Sequence, residues 1–538
     1  MSGQAVPAPP PVPPEAPPYD PRQGVVFALV SLLVGLTQGL GVNLVNVNLS
    51  GVQGALGATA VEAGWLTTAY YATNISASIL LTKVRYQYGL RWFADVVIGL
   101  YLLLALAHLF TQQLGSALLV RAALGVAAAP LSSLAVLYMV QAFPPSRALV
   151  GALLGFGVLQ LGMPLSRIIS EDLLQIGQWH GLHFVDTGLA VLCVAAINVV
   201  RLRPMPTVQM FARGDGIVFT LYATALALVC VVLTQGRYAW WTDAAWIGQC
   251  LALAVLLLGI YVAVELRRDA PLVDLRWLAS PFMLRFVGAT LLFRIVLSEQ
   301  TVGAVGLMNA LGFTNDQMHT LFVWVTVGTM AGFLLTLLVV PSQRFGAVGI
   351  GALALVMLAA WMDGDATTLT RPHDLYLSQT LLAAASAMFL GMALLQGFTH
   401  VLAGGGKQLI SFIAVFGGGQ SLGALIGQAW LSTLLVDRQR LHYAHLVEQL
   451  QLSDPQVAQR LAQLGGAYAG QLSDAAARSG QAAALLAQQV TQQATVLAYN
   501  DLFHAVAMIS TLGLFVFAGF KTHRWHRARR QAASTAAA

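Results

Sequence analysis

FMLRFVGATLLFRIVLSEQTV, residues Phe282 to Val302, is long enough to cross a bilayer and carries Arg294 and Glu299 inside it. An ionisable side chain at membrane depth costs a few kcal/mol or more, and it survives where a partner or a water-filled cavity solvates it. Two such residues of opposite sign on one segment point to a solute or proton path. They stand five positions apart, about 140° around a helix. They therefore do not make a same-helix pair, and each is expected to face a different partner.

The rest of the chain is of the same kind. Of 538 residues 57% are hydrophobic and 9% charged, against about 25% charged in soluble domains. Fourteen apolar stretches of spanning length lie between 25 and 520, which predicts an all-α membrane protein in contact with the lipid bilayer. Met1 to Pro21 holds nine of the 20 prolines and is no signal peptide; segment 1–24 is expected to be disordered. Cys193, Cys230 and Cys250 all sit in apolar runs, as buried small hydrophobes rather than disulfides or metal ligands.

An even span count puts both termini on one side. Most of the 28 Lys and Arg residues, including Lys83, Arg85, Arg91, Arg201, Arg203, Arg267, Arg268 and the tail from Lys521 to Arg530, then share that side. The positive-inside rule makes it the cytoplasm. The net charge of +6 reflects this topology and anionic lipid, not nucleic acid. The expected divisions are 25–200, a six-helix bundle; 216–264, two linker helices; 282–520, a second six-helix bundle; and 521–538, a basic tail. Within the second bundle, 436–498 is polar and Gln-rich and lies on the far side. Asp454-Pro455 and Ser473-Asp474 there have the form of helix starts.

Arg121 begins Arg-Ala-Ala-Leu-Gly-Val-Ala-Ala-Ala-Pro, and the next span carries Gly151, Gly155, Gly157 and Gly162 before Met163-Pro164. Small residues at these spacings let helices approach, and Pro164 frees a backbone carbonyl. The ordered combination resembles the Arg motif and antiporter motif of the major facilitator superfamily. Trp179, Phe184 to Gly188, Pro271 to Leu275, Trp430, Ala487 to Val490 and Asn500 to Phe503 are similar to segments of EmrB-type permeases, the fourteen-helix drug:proton antiporter branch. That resemblance covers roughly 25–520. It implies two six-helix bundles with two extra helices between them, rocking about a central cavity. It also implies a periplasmic adaptor (membrane-fusion) protein and an outer-membrane channel as partners of a tripartite pump, with the adaptor near 436–498. Three positions depart from the family pattern. Gly41 stands at the usual first-helix Asp, Tyr86 at the Asp of the motif after the second span, and Arg167 at a usual Gly.

Proton coupling needs a carboxylate or histidine that exchanges its access to water between the two sides. Glu299 is the first candidate, with Asp172 and Asp186 at span ends as gate or coupling groups. Arg121 matches the family's motif Arg; the alternative is a structural Arg bonded to free carbonyls. Arg121, Arg167 and Arg294 put three cations in spans with few carboxylates, which favours an anionic amphipathic substrate. Asn43, Asn46, Asn74 and Gln160 are candidate cavity residues, with Arg294 and Arg167, for substrate contact. Gly404 to Lys407 lacks the strand and spacing of a phosphate loop. No cofactor, metal site or enzyme chemistry is expected. The sequence thus predicts an efflux permease driven by proton antiport; an uncoupled or differently coupled carrier, or a non-transporting receptor, stays open as the alternative.

Overall fold

Helix starts are written into the chain as a capping residue followed by proline. Asp20-Pro21, Ser280-Pro281 and Asp454-Pro455 each begin a helix, the cap side chain accepting a first-turn N–H from Arg22 (3.0 Å), Met283 (3.4 Å) and Gln456 (2.8 Å). Thr59 and Glu62 form a reciprocal capping box at a further start. The computed structural model describes residues 20–537 apart from 178, 205–206, 341–344, 405–407 and 452, and no side chain at 171, 175–177, 410 or 414 or from 520 onward. The Pro-rich segment 1–19, residues 405–407 of the Gly404 to Lys407 run and the side chains of the basic tail lie outside the described residues.

The helices, in chain order, are α1 (Pro21–Val47), α2 (Leu49–Ala55), α3 (Ala60–Tyr88), α4 (Leu90–His108), α5 (Leu114–Gln141), α6 (Ala148–Gln160), α7 (Gly162–Gly177), α8 (Trp179–Val199), α9 (Asp215–Ala239) and α10 (Ala245–Glu265). After them come α11 (Leu275–Leu278), α12 (Pro281–Leu297), α13 (Val305–Ala310), α14 (His319–Val339), α15 (Phe345–Asp363), α16 (Tyr376–Ala403), α17 (Leu409–Glu448), α18 (Pro455–Gly466) and α19 (Ala475–Ala537). No β-strand occurs among the described residues. Thirteen helices, some built of two of these elements, are long and apolar enough to cross a membrane. A further 29-residue helix, α3, is not among them; it carries Thr67, Thr68, Thr73, Asn74, Ser76 and Ser78 and packs among other helices. The protein is an all-α, multi-pass membrane fold.

Two apolar cores organise the packing. One joins α1, α3, α4, α5 and α8 around Phe93, Tyr101, Leu124 and Tyr138. The other joins α12 to α17 with α19 around Phe293, Phe322, Leu353, Phe412 and Phe503. Helices α9 and α10 rest on smaller clusters that include Ile79 of α3 and Leu425 of α17. In a bilayer the apolar effect gives little reason for helices to associate, so close packing and polar contacts carry the cohesion. Glycine supplies the closeness: a Cβ on Gly155 would come 2.8 Å from Val136 Cα, and one on Gly162 would come 2.5 Å from Gly39 Cα.

A charged clasp ties the linker helices to α3 at the end rich in basic loops. Lys83 Nζ lies 2.9 Å from Asp215 Oδ2, and Arg268 pairs with both Asp215 and Glu265. The Glu265 carboxylate also accepts the backbone N–H groups of Leu272 and Val273. The following Asp274 caps α11 through Trp277 N–H (3.0 Å), and its own N–H donates to Ser411 Oγ (3.1 Å). The Pro271 to Leu275 segment is thus a clip between α10 and α17. Lys83 and Asp215 are both buried, so removing one partner strands the other. Asp215→Ala is expected to destabilise the purified protein by on the order of 3 kcal/mol. The paired replacement Lys83→Met with Asp215→Leu should recover most of that loss. Thermal unfolding in detergent checks both, and an unchanged midpoint for Asp215→Ala would contradict the clasp.

Candidate functional site

A cavity of about 690 Å³ lies between the two cores. Helices α1, α3, α5 and α6 line it from one side and α12, α16 and α17 from the other. It runs from the middle of the molecule, at Gln38 and Asn43, towards the basic end, at Arg85 and Ser146. Aromatic and aliphatic side chains, Tyr70, Tyr71 and Phe156 among them, form much of the wall. Arg294 and Arg85 are the charged residues lining it among those described, and no carboxylate does.

Arg294 is held by close helix approach. Gly423 and Gly427 of α17 face α12; a Cβ on the first would come 2.7 Å from Arg294 Cβ, and one on the second 2.8 Å from Ile295 Cα. This contact lets Arg294 Nε donate to the Gln420 carbonyl at 3.1 Å. The Gln420 side-chain amide beside it is buried with no hydrogen-bond partner. Asn43, Asn74 and Gln160 also line the cavity. Asn43 Nδ2 donates to the Gly39 carbonyl (2.7 Å) and Asn74 Nδ2 to the Gly125 carbonyl (3.0 Å), which leaves their side-chain oxygens as acceptors.

Two residues expected at the substrate stand elsewhere. Arg167 does not line the cavity: it donates through Nη1 to Asn315 Oδ1 at 2.7 Å and lies over the Phe322 ring. Asn315 in turn donates to Asn48 Oδ1 (3.0 Å) and lies 3.4 Å from both Ser170 Oγ and the Val47 carbonyl. This group joins α1 and α7 to the turn before α14 and closes the end opposite the basic loops. An arginine in place of glycine gives α7 the reach to cross that gap. Asn46 is also outside the cavity lining, where it accepts from Thr67 Oγ1 at 3.0 Å.

The remaining candidates fall into three places. Arg121 is buried and bonds backbone alone, Nη1 and Nη2 donating to the Gly41 and Val42 carbonyls at 2.9 Å, with the Tyr70 ring beneath it. Asp186 is buried and accepts from Tyr101 Oη at 2.6 Å. A side chain at Gly41 would collide with Tyr101 Oη and come 2.9 Å from Asp186 Oδ1. Gly41 thus leaves the space that the Tyr101 and Asp186 side chains occupy. Asp172 is exposed at the closed end. Glu299 is fully buried, away from Arg294, and accepts from Gln379 Nε2 at 3.2 Å. Sequence reasoning missed Asp363, which accepts from the same nitrogen at 2.8 Å; its signal was an acid closing the apolar run 345–363. Gln379 and Asn315 carried no signal of their own.

Among known proteins, the chain is 22% identical over 523 residues to the multidrug export protein EmrB of Escherichia coli K12, covering 92% of this chain and 95% of that one. It is 21% identical over 504 residues to the fatty acid resistance protein FarB of Neisseria gonorrhoeae, covering 90% and 94%. No protein-family model matches it. Among solved structures, the human organic anion transporter TETRAN superposes with a TM-score of 0.54 at 13% identity, over 92% of this chain and 100% of the other. A POT family transporter bound to a thioalcohol-conjugated peptide gives a TM-score of 0.56 at 15% identity, over 93% and 96%. The chain is thus a multi-pass membrane protein of the major facilitator fold whose relatives are transporters rather than enzymes, multidrug exporters of the EmrB type among them.

Proposed function

We propose that this protein exports amphipathic anionic small molecules across the inner membrane by proton antiport. The observation that carries the reading is the cavity itself: apolar and aromatic walls and, among the described residues, two arginines and no carboxylate. A cation in a low-dielectric cleft attracts an anion more strongly than water would allow, and it repels cationic drugs. The names of two relatives, a fatty acid resistance protein and an organic anion transporter, agree with a substrate of that class. Asn43, Asn74, Gln160 and the unpartnered Gln420 amide offer polar contacts around Arg294.

The cavity reaches the basic end while Arg167 and Asn315 bridge the other, the arrangement of a carrier open to the cytoplasm. Both termini then lie in the cytoplasm, and the long α17 and α19 extensions with α18 project to the periplasm. There they form the surface for an adaptor protein that passes substrate to an outer-membrane channel. Export would proceed by rocking of the two halves, with the Arg167–Asn315 bridge opening as the basic end closes. Glu299 and Asp186 are the carboxylates placed to exchange protons against substrate, and Arg121 holds the backbone of α1 beside Asp186. Substrate and proton act on the same equilibrium because each favours a different facing.

Transport in proteoliposomes under an imposed pH gradient tests the reading. A fatty-acid or aromatic-acid substrate should move and should be competed by organic acids, not by cationic dyes; the opposite preference contradicts it. Replacing Arg294 by Ala removes a charge-assisted contact of about 1.5–3 kcal/mol, so the apparent KM should rise roughly tenfold or more, with a smaller rise for Arg294→Lys. An unaltered KM in Arg294→Ala removes that residue from the substrate site. A Ser170→Cys, Asn315→Cys pair joined by a short bifunctional thiol reagent should lose the transport that the same variant shows before linking. Undiminished transport in the linked form contradicts the gate.

A further inference from the structure

Glu299, Gln379 and Asp363 form a second chemical centre, separate from the cavity. The turn after α12 supplies Glu299, α15 supplies Asp363 and α16 supplies Gln379. Glu299 is 0% exposed, Gln379 1% and Asp363 3%. The single Gln379 Nε2 donates to Glu299 Oε1 at 3.2 Å and to Asp363 Oδ2 at 2.8 Å. Gln379 Oε1 lies 3.5 Å from Gln300 Nε2, which fixes the direction of the amide. Glu299 Oε2 is buried with no hydrogen-bond partner. Immediately after Glu299 the helix widens into a π-helical segment, Gln300–Ala304, a distortion common at functional sites.

No cation neutralises this pair among the described residues. On its own helix, Arg294 is turned to Gln420 of α17. From α17, Gly427 packs on Ser298 and Ile295, and the nearest charged residue along that helix is Asp437, about 15 Å further on. From α19, Leu502 and Phe503 seal Gly303 beside Glu299, and Tyr499 lies against Gly306. The facing titratable group there is His504, which stands against Gly364, next to Asp363, and meets the Asn500 carbonyl at 2.8 Å through Nδ1. Asp501 pairs with His442 of α17. From α16 the neighbouring group is Tyr376, α13 brings none, and α14 brings the exposed His319. The turn before α16 uses Asp374 on Arg371 N–H and on His373, and Asp365 follows in the loop after α15.

Two carboxylates meeting at one amide, out of water, repel with no cation to offset them; the amide N–H₂ supplies one donor hydrogen to each, and the Ser378 hydroxyl beside Asp363 serves that carboxylate alone. The unpartnered Glu299 oxygen lacks a hydrogen. We propose that Glu299, Gln379 and Asp363 constitute a buried binding site for one proton, shared between the two carboxyl groups at the closed end of the second helical half. The proton arrives as a hydron from water at that end, converts one carboxylate to a carboxylic acid and leaves by the reverse step; no other bond changes. Its use as a driving proton rests on the antiport reading above, whereas the existence of the site does not.

Infrared difference spectroscopy on the purified full-length protein in detergent tests it. At neutral pH the wild type should show a protonated-carboxyl C=O band that shifts in deuterated water. That band should be lost in the double variant Glu299→Gln, Asp363→Asn, whose side chains keep nearly the same shape. Gln379→Met, which removes the shared donor and leaves both acids, should shift the band and not abolish it. Size-exclusion profiles and thermal midpoints identify any variant that fails to fold, and in that case the Gln379→Met spectrum decides. A band equally strong in wild type and double variant overturns the proposal, as does an unshifted band in a folded Gln379→Met. Loss of the wild-type band on adding sodium chloride at fixed pH overturns it in favour of a sodium site. In proteoliposomes the double variant should lose about tenfold or more of its gradient-driven flux. A wild type with the band and no gradient-driven flux would refute the antiport reading and leave the proton site standing.

Discussion

A charge inside a bilayer must have a partner or reach water, and several of the described ionisable groups in the spans of this chain can be followed to one or the other. Lys83, Asp215, Glu265 and Arg268 neutralise one another at the basic end and use that attraction to hold the linker helices. Arg121 spends two donors on the Gly41 and Val42 carbonyls and holds α1 against α5. Arg167 reaches across to Asn315 and closes one end of the molecule. Arg294 bonds the Gln420 carbonyl and, with Arg85, lines the central cavity, where no carboxylate stands among the described lining residues.

Close helix approach makes these arrangements possible. The Gly423 and Gly427 face of α17 lets α12 come near enough for Arg294 to bond a backbone carbonyl, and Gly39 and Gly162 bring α1 and α7 together near the centre. Gly41 serves differently: its missing side chain is the space in which Tyr101 and Asp186 meet. Arg121 binds the α1 backbone at Gly41 and Val42, beside that pair.

The class of the protein was legible in composition and in apolar runs, because bilayer thickness dictates span length. Asp454-Pro455 and Ser473-Asp474 marked two helix starts, since a capping side chain satisfies first-turn N–H groups that no distant contact is needed to explain. The five-residue spacing of Arg294 and Glu299 correctly separated them, because helical phase is a local property. What stayed hidden depends on partners distant in sequence. Arg167 read as a substrate cation because nothing in its own helix mentions Asn315, 148 positions away. Asp363 and Gln379 acquire meaning only when α15 and α16 bring them to Glu299. Gly41 read only as a departure from the family pattern; that its space is filled by Tyr101 and Asp186 depends on α4 and α8.

The central claim is that an unopposed arginine in an apolar cavity makes this carrier select anions. Binding of two ligands of equal chain length and opposite head charge, dodecanoate and dodecylammonium, to the purified wild-type protein tests it most directly. Calorimetry below the micellar range of each ligand should give saturable binding of dodecanoate at least tenfold tighter than that of dodecylammonium, a difference of about 1.4 kcal/mol. Equal affinity, or tighter binding of the ammonium, would contradict it.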